Sequence, residues 1–426
     1  MFVRVLVPAF AAAAACLAGS GWLPAFAGPF TAGTVVVERL GDGTTTLSNA
    51  AAAISVLEVT TSGSLAQTIT LATTGSNQQT DSGSATSDGY LNTYFSGGVG
   101  YVSVPGYNNA VGTASVASQN SKVNSTLDAS GSVINRTLFP TGGPSGTPPS
   151  PFSGNNFRSS IATSGSTFYA AGTASGSPNT GGVWYYNGTA FTQVSSTAAT
   201  VGVTNVRNVE IYNNQLYFSS SSGTFLGVSS LGSGLPNSGP VLPALQINAG
   251  AGSSIYGFVM FSTGSQGAGV LDLAYLADDR STAGGGIQKY TFNGTAWSSS
   301  WSLLVGASGT STLQSGTGAG FAGLRGLAGT YDAVTGATLY ATTTETTNNR
   351  LISILDNGLT TPSTYTTLQS AGANYVFRGV DLSPAAVPEP SSLALAFVGC
   401  AAAGWRLMRR RNTRSTTPRG PLQSHT

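Results

Sequence analysis

The chain has 426 residues, of which only 8% are charged and 40% hydrophobic, with 57 glycines and a formal net charge of +2. Its only cysteines are Cys16 and Cys400 and its only histidine is His425, so the stretch between Gly28 and Val387 excludes disulfides, thiolate or histidine metal sites, Ser-His-Asp triads and Cys-His pairs. Arg406, Arg409, Arg410, Arg411, Arg414 and Arg419 crowd the C-terminus and leave ten basic against fourteen acidic residues in the body, a balance that argues against a basic nucleic-acid patch.

At the N-terminus, "MFVRVLVPAFAAAAACLAGSGWLPAFAG" places Arg4 ahead of an apolar run from Val5 to Ala18. A small-x-small site follows at Ala25-Phe26-Ala27. This is the pattern of a secretory signal peptide over residues 1–27, removed before Gly28.

The body, residues 28–386, is a succession of short alternating strands rich in Val, Ile, Tyr, Phe and Thr with small-residue turns, which predicts an all-β fold. Four stretches share one plan: "NNFRSSIATSGSTFYAAGT" from Asn155, "TNVRNVEIYNNQLYFSSSS" from Thr204, "AGLRGLAGTYDAVTGATLYATTT" from Ala322 and "YVFRGVDLSP" from Tyr375. Weaker versions begin at Gly89 and Ser254. The spacing of roughly 50 to 65 residues belongs to propeller blades with some long loops. "GGVWYYNGTAF" (Gly181–Phe191) and "GGIQKYTFNGTAW" (Gly285–Trp297) supply the second half of a blade. Their Asn-Gly pairs predict type I′ hairpins with φ > 0 at both positions.

The last strand, Tyr375 to Ser383, has no successor, and "GTVVVERLGDG", "AISVLEVTTSG" and "LAQTITLAT" near the start have no predecessor. Together they make one sheet. The expectation is a six-bladed β-propeller closed by its own terminal strands, which hides both sheet edges, plus a C-terminal hydrophobic helix. A β-sandwich or β-solenoid is the alternative.

Beyond the body come Pro388-Glu389-Pro390, an apolar run from Leu393 to Trp405, and the basic cluster that includes Arg409, Arg410 and Arg411. The order and content of these parts resemble the PEP-CTERM sorting signal, here residues 387–414, with a disordered tail at 415–426. The prolines hold the chain extended, and the arginines stay cytoplasmic by the positive-inside rule. The run, extended to about 391–408, is marginal against the ~20 residues of a stable span, which suits a transient anchor. The resemblance implies a partner of the exosortase type that cuts near Pro-Glu-Pro. It also implies transient lodging in the inner membrane and a destination in the cell envelope or extracellular matrix. The body is also similar to a group of exported bacterial proteins that share "GDG…LSNAA", "FSGNN[I/F]RS", "LADDR…GGG" and "FRGV", here Gly41–Ala51, Phe152–Ser159, Leu276–Gly286 and Phe377–Val380. That likeness brings no activity with it.

Arg158, Arg207, Arg325 and Arg378 occupy equivalent positions in the first strand of their repeats, the strand that lines a propeller's channel. One reading is an anion-binding site for a carboxylated sugar or a phosphate, held by guanidinium forks. The other is structural, with each Arg bonding backbone carbonyls or an acid such as Glu210 or Asp381. Asp278 and Asp279, before a glycine triplet and near Asp272, are candidate ligands for a hard cation such as Ca²⁺, although no D-x-[DN]-x-[DN]-G spacing accompanies them and a capped turn also fits. No catalytic residue is assigned: nothing pairs two of the acids as a glycosidase requires, and neither S-x-D-x-G-x-T-W boxes nor a histidine base occur. The expected role is non-catalytic binding or scaffolding, without cofactor, near envelope polysaccharide. The alternative is a carbohydrate-active hydrolase or lyase using acids and arginines at the channel.

Overall fold

The structure, a computed structural model, describes residues 28–198, 202–318 and 320–385. It is all-β and propeller-like, with a lone 3-10 turn at Val116–Ser118 among the described residues. The N-terminal part forms β1 (Val35–Gly41), β2 (Ala51–Val59), β3 (Leu65–Thr70), β4 (Thr80–Ser82), β5 (Asn92–Ser96), β6 (Val99–Tyr107), β7 (Lys122–Asp128) and β8 (Val133–Leu138). Three antiparallel meanders of four strands or more follow. They are β9 (Phe157–Ala162) to β12 (Phe191–Gln193) through β10 (Phe168–Gly172) and β11 (Gly182–Tyr186); β13 (Val206–Tyr212) to β16 (Pro243–Asn248) through β14 (Gln215–Ser220) and β15 (Gly227–Leu231); and β17 (Ile255–Phe261) to β21 (Leu313–Gln314) through β18 (Leu273–Asp278), β19 (Gly286–Phe292) and β20 (Trp297–Val305). The last meander is β22 (Leu324–Asp332), β23 (Gly336–Thr343), β24 (Arg350–Asp356) and β25 (Thr366–Ser370), after which comes β26 (Tyr375–Leu382).

The terminal strands pair as the sequence suggests. β26 runs antiparallel to β1 from Val35↔Leu382 to Gly41↔Tyr375. Beyond it Ser383 donates its backbone N–H to the Thr34 carbonyl at 3.0 Å and its hydroxyl to the Thr31 carbonyl at 2.7 Å. β1 is covered on both faces, with Val36 and Leu40 in one apolar cluster and Val35 and Val37 in the next, which is why it reads as an unbroken Val-Val-Val run.

The number of separate sheets differs from the six expected. Four stand alone with four or five strands, and the remaining sheet has nine. The physical reason is β4, which pairs with β2 over Ala51–Ala53 and with β6 at Thr80↔Tyr107, so the meander β26-β1-β2-β3 is joined to β5-β6-β7-β8. The expected C-terminal helix lies outside the described residues, among which no helix is long and apolar enough to cross a membrane.

The turns also depart from expectation. Gly188 and Gly294 are left-handed at φ 97° and 94°, but Asn187 and Asn293 are not. Instead each Asn side chain accepts two backbone N–H groups, at 2.8–2.9 Å, from the residues that follow. Two-residue turns with φ > 0 at both positions occur instead at Gly97-Gly98 and Asn213-Asn214.

The inner strands β26, β5, β9, β13, β17 and β22 touch one another in a closed circuit. Their backbones approach so closely that glycine is required: a Cβ on Gly257 would lie 2.7 Å from the Arg325 carbonyl oxygen, on Gly326 2.6 Å from that of Arg378, and on Gly379 2.7 Å from that of Gly89. The Gly after the channel residue is thus a packing requirement between neighbouring inner strands.

Candidate functional site

The inner strands bring all four predicted arginines to one level. Between them, at equivalent positions of the two weaker repeats, stand Tyr90 and Tyr256. Tyr90 lies on the segment leading into β5, whose N–H donates to the Arg158 carbonyl at 2.9 Å, and Tyr256 lies on β17. The two tyrosine rings meet across the axis with centroids 6.0 Å apart. Arg207 lies 4.0 Å over the Tyr256 ring and Arg325 lies 5.8 Å from it. The tyrosines escape a search for repeated arginines, but aligning "GYL" and "IYG" with "FRS", "VRN", "LRG" and "FRG" exposes them.

The arginines divide into two kinds. Arg158 and Arg378 are buried. Arg158 donates to the Asn205 side chain and, at 3.1 Å, to the Val206 carbonyl; Arg378 donates to the Gly83 carbonyl at 3.0 Å. These are the locking contacts of the structural reading. Burial, and secondarily the nearby Arg207, pushes Arg158 down to about 10, and burial also lowers Arg378. Arg207 and Arg325 are half-buried. Arg325 reaches Asp279 at 3.4 Å. The buried Nε and Nη1 of Arg207 have no hydrogen-bond partner, and the buried Nε of the other three arginines is unpartnered too. A buried unsatisfied donor costs about 1–3 kcal/mol, and these nitrogens lie beneath the surface of the mouth.

Glu210 and Asp381 do not serve those arginines. They stand three residues further along β13 and β26 and act on each other instead. Burial first, and the Asp381 charge second, raise Glu210 well above the ordinary carboxylate range. Burial pushes Asp381 up to about 7 against the N–H groups of Thr93 (2.6 Å) and Leu382 (2.7 Å) that it accepts. Glu210 takes a 3.1 Å bond from the Asn208 amide.

A second group of acids was not legible beforehand. Glu38, Asp81 and Asp88 are fully buried beside Arg378, whose positive charge lowers the pKa of each while burial, the larger effect, raises it. Asp88 accepts from Tyr107 Oη at 2.7 Å and Asn156 Nδ2 at 3.0 Å, and both oxygens of Glu38 lack a partner. The signal available was Glu38 inside "VVVERL", a charge at a position that strand alternation buries. Asp81 and Asp88 lie in a segment that no repeat covers.

Asp278 and Asp279 are not arranged around a cation. Arg280 grips Asp278 through Nε at 2.8 Å and Nη2 at 2.7 Å, and Ser254 N–H (3.0 Å) and Gln288 Nε2 (3.1 Å) also donate to it. Every neighbour donates to the carboxylate, the opposite of a cation's oxygen cage. Among the described residues no group of three or more His, Cys, Asp or Glu side chains is placed to hold a metal ion. The donors around Asp278 have the arrangement of a carboxylate-capped turn.

Comparison with known proteins places one segment firmly. The PEP-CTERM protein-sorting motif matches residues 386–411, a range that contains Pro388, Glu389, Pro390, Arg409, Arg410 and Arg411 and lies outside the described residues. The motif implies an exported protein, anchored in the membrane before an exosortase-type enzyme processes it. No curated protein matches the chain. Solved structures similar to it include a protein assigned as a 6-phosphogluconolactonase from Bacteroides uniformis, with 12% identity, TM-score 0.39 and coverage of 79% of this chain and 82% of that one. Another, so assigned from Bacteroides fragilis, has 11% identity, TM-score 0.41 and coverage of 78% and 82%. A sialidase from Trypanosoma rangeli has 11% identity, TM-score 0.39 and coverage of 92% and 58%.

Proposed function

We propose that this chain is an exported envelope protein whose propeller body binds an anionic polysaccharide without catalysis, at the mouth formed by Arg207, Arg325 and Tyr256. Residues 1–27 are its leader, 28–386 its body, 387–414 its sorting signal and 415–426 its tail.

The observation that carries the reading is Arg207, a half-buried guanidinium with buried, unpartnered Nε and Nη1 and an aromatic face beneath it. A carboxylate is a charge-assisted acceptor for a guanidinium so placed. The binding role is favoured over the hydrolase because a glycosidase needs two carboxyl groups facing an open cleft. Glu38, Asp81, Asp88 and Glu210 are buried, and Asp381 is engaged by two backbone donors.

A glycan array probed with the full chain tests this. Retention on uronate-bearing glycans, lost in Arg207→Gln, supports the reading. Retention that ignores glycan charge, or survives Arg207→Gln unchanged, removes it.

A further inference from the structure

The meander topology gives the ring two ends. At one end every inner strand finishes and its neighbour begins, and the outer hairpins turn back. Both described termini leave at this end, where Leu382 pairs with Val35 and Ser383 is tied to Thr31 and Thr34. The matched sorting motif starts at residue 386, directly after the last described residue.

The same end collects the body's exposed apolar surface. Of thirteen large hydrophobic side chains exposed among the described residues, ten sit at or next to its turns. Val334, in the β22–β23 turn, is 91% exposed and Leu359, after β24, is 87% exposed. Leu242 and Val270 occupy other turns around the ring, and Phe95 and Leu65 flank two more. The turns here carry no Lys or Arg. Their most exposed acid, Asp332, is already capped by the N–H groups of Val334 and Thr335, both at 2.9 Å. The opposite end holds Asp279, Arg280 and Glu345 in its loops and the four ring arginines near the starts of the inner strands.

We infer that this end of the propeller rests on a lipid surface while the sorting segment is in the membrane, with Val334 and Leu359 among the tips that enter the headgroup boundary. The inference builds on the reading of the C-terminal segment as an anchor. Only about six residues separate Ala385 from the apolar run, a reach of roughly 20 Å at 3.3–3.6 Å per residue, so the exit end must lie close to the bilayer. Apolar tips with little charge around them suit burial at the headgroup–acyl boundary, and the arginine-lined mouth is then held facing away from the membrane.

The test uses the full chain in phosphatidylethanolamine–phosphatidylglycerol vesicles, with Cys16→Ser and Cys400→Ser as background. Single sites Val334→Cys and Leu359→Cys report the exit end, and Thr46→Cys and Thr347→Cys the opposite end. All four positions are exposed, so folding is spared. Each is labelled with an environment-sensitive fluorophore and challenged with quencher-bearing lipids. The expected result is flotation of every variant with the vesicles, at least two-fold quenching at 334 and 359, and none at 46 and 347. Flotation with water-exposed labels at 334 and 359 overturns the membrane-facing end and leaves the anchor standing. Absence of flotation overturns the anchor reading and this inference with it.

Discussion

The two ends of the ring are built by the same repeat and differ in what their loops carry. One gathers Arg158, Arg207, Arg325 and Arg378 with Tyr90 and Tyr256, and draws three buried acids up beside Arg378. The other is made of nearly uncharged turns tipped with Val, Leu and Phe. The framework between them is constant, with strands such as β1, β9 and β17 buried on both faces. A propeller can therefore assign different tasks to its two ends, because substitutions in the turns do not disturb the inner-strand contacts that depend on Gly257, Gly326 and Gly379. Within the polar end a second contrast holds. Arg158 and Arg378 are bonded into the fold, while Arg207 is not.

The seam should show the largest effect. Phe377 on β26 is 2% exposed, and Phe377→Ala is expected to cost about 3–5 kcal/mol in urea unfolding. An unchanged midpoint would mean the terminal strand adds nothing to closure. Next is the contrast within the ring. Arg378→Ala removes the buried 3.0 Å bond to the Gly83 carbonyl and should cost about 1.5–3 kcal/mol, the scale of a hydrogen bond to a charged group. Arg207→Ala should cost about 1 kcal/mol, the scale of a cation–π contact, while removing glycan retention. Equal losses would erase the distinction between locking and binding arginines.

The pH dependence follows from the raised acids. Glu210 and Asp381 hold protons in the folded chain that the unfolded chain releases, so their contribution is complete below about pH 4 and is lost as pH rises through about 7, where Asp381 titrates, at about 1.4 kcal/mol per pKa unit. The melting temperature should therefore fall from pH 4 to pH 8, and Glu210→Gln should flatten that fall. A flat wild-type profile would count against the buried pair. The smallest effect belongs to the turn end, where Val334→Asp should change stability by less than about 0.5 kcal/mol and yet weaken vesicle contact.

The repeated arginines, the strand rhythm and the pairing of the two terminal strands were readable because each is a periodic pattern in the chain. Three things were not. β4 is a three-residue strand outside the repeat, and it changes how many separate sheets form. The acids Asp81 and Asp88 come together only through tertiary packing of a non-repeating loop. Asp278-Asp279-Arg280 allowed both a cation site and a capped turn because sequence shows charge density without direction; in the fold the Arg280 side chain curls back onto Asp278. The Asn-Gly turns taught the same lesson, since Asn187 closes its turn through its side chain rather than through a left-handed backbone.

The most direct measurement is a calorimetric titration of the full chain with trigalacturonate and with its methyl ester. Binding of the acid and at least a ten-fold loss on esterification is the result expected if the Arg207 guanidinium at the mouth recognises carboxylates. Equal affinity for the two, or no binding of either, would contradict it.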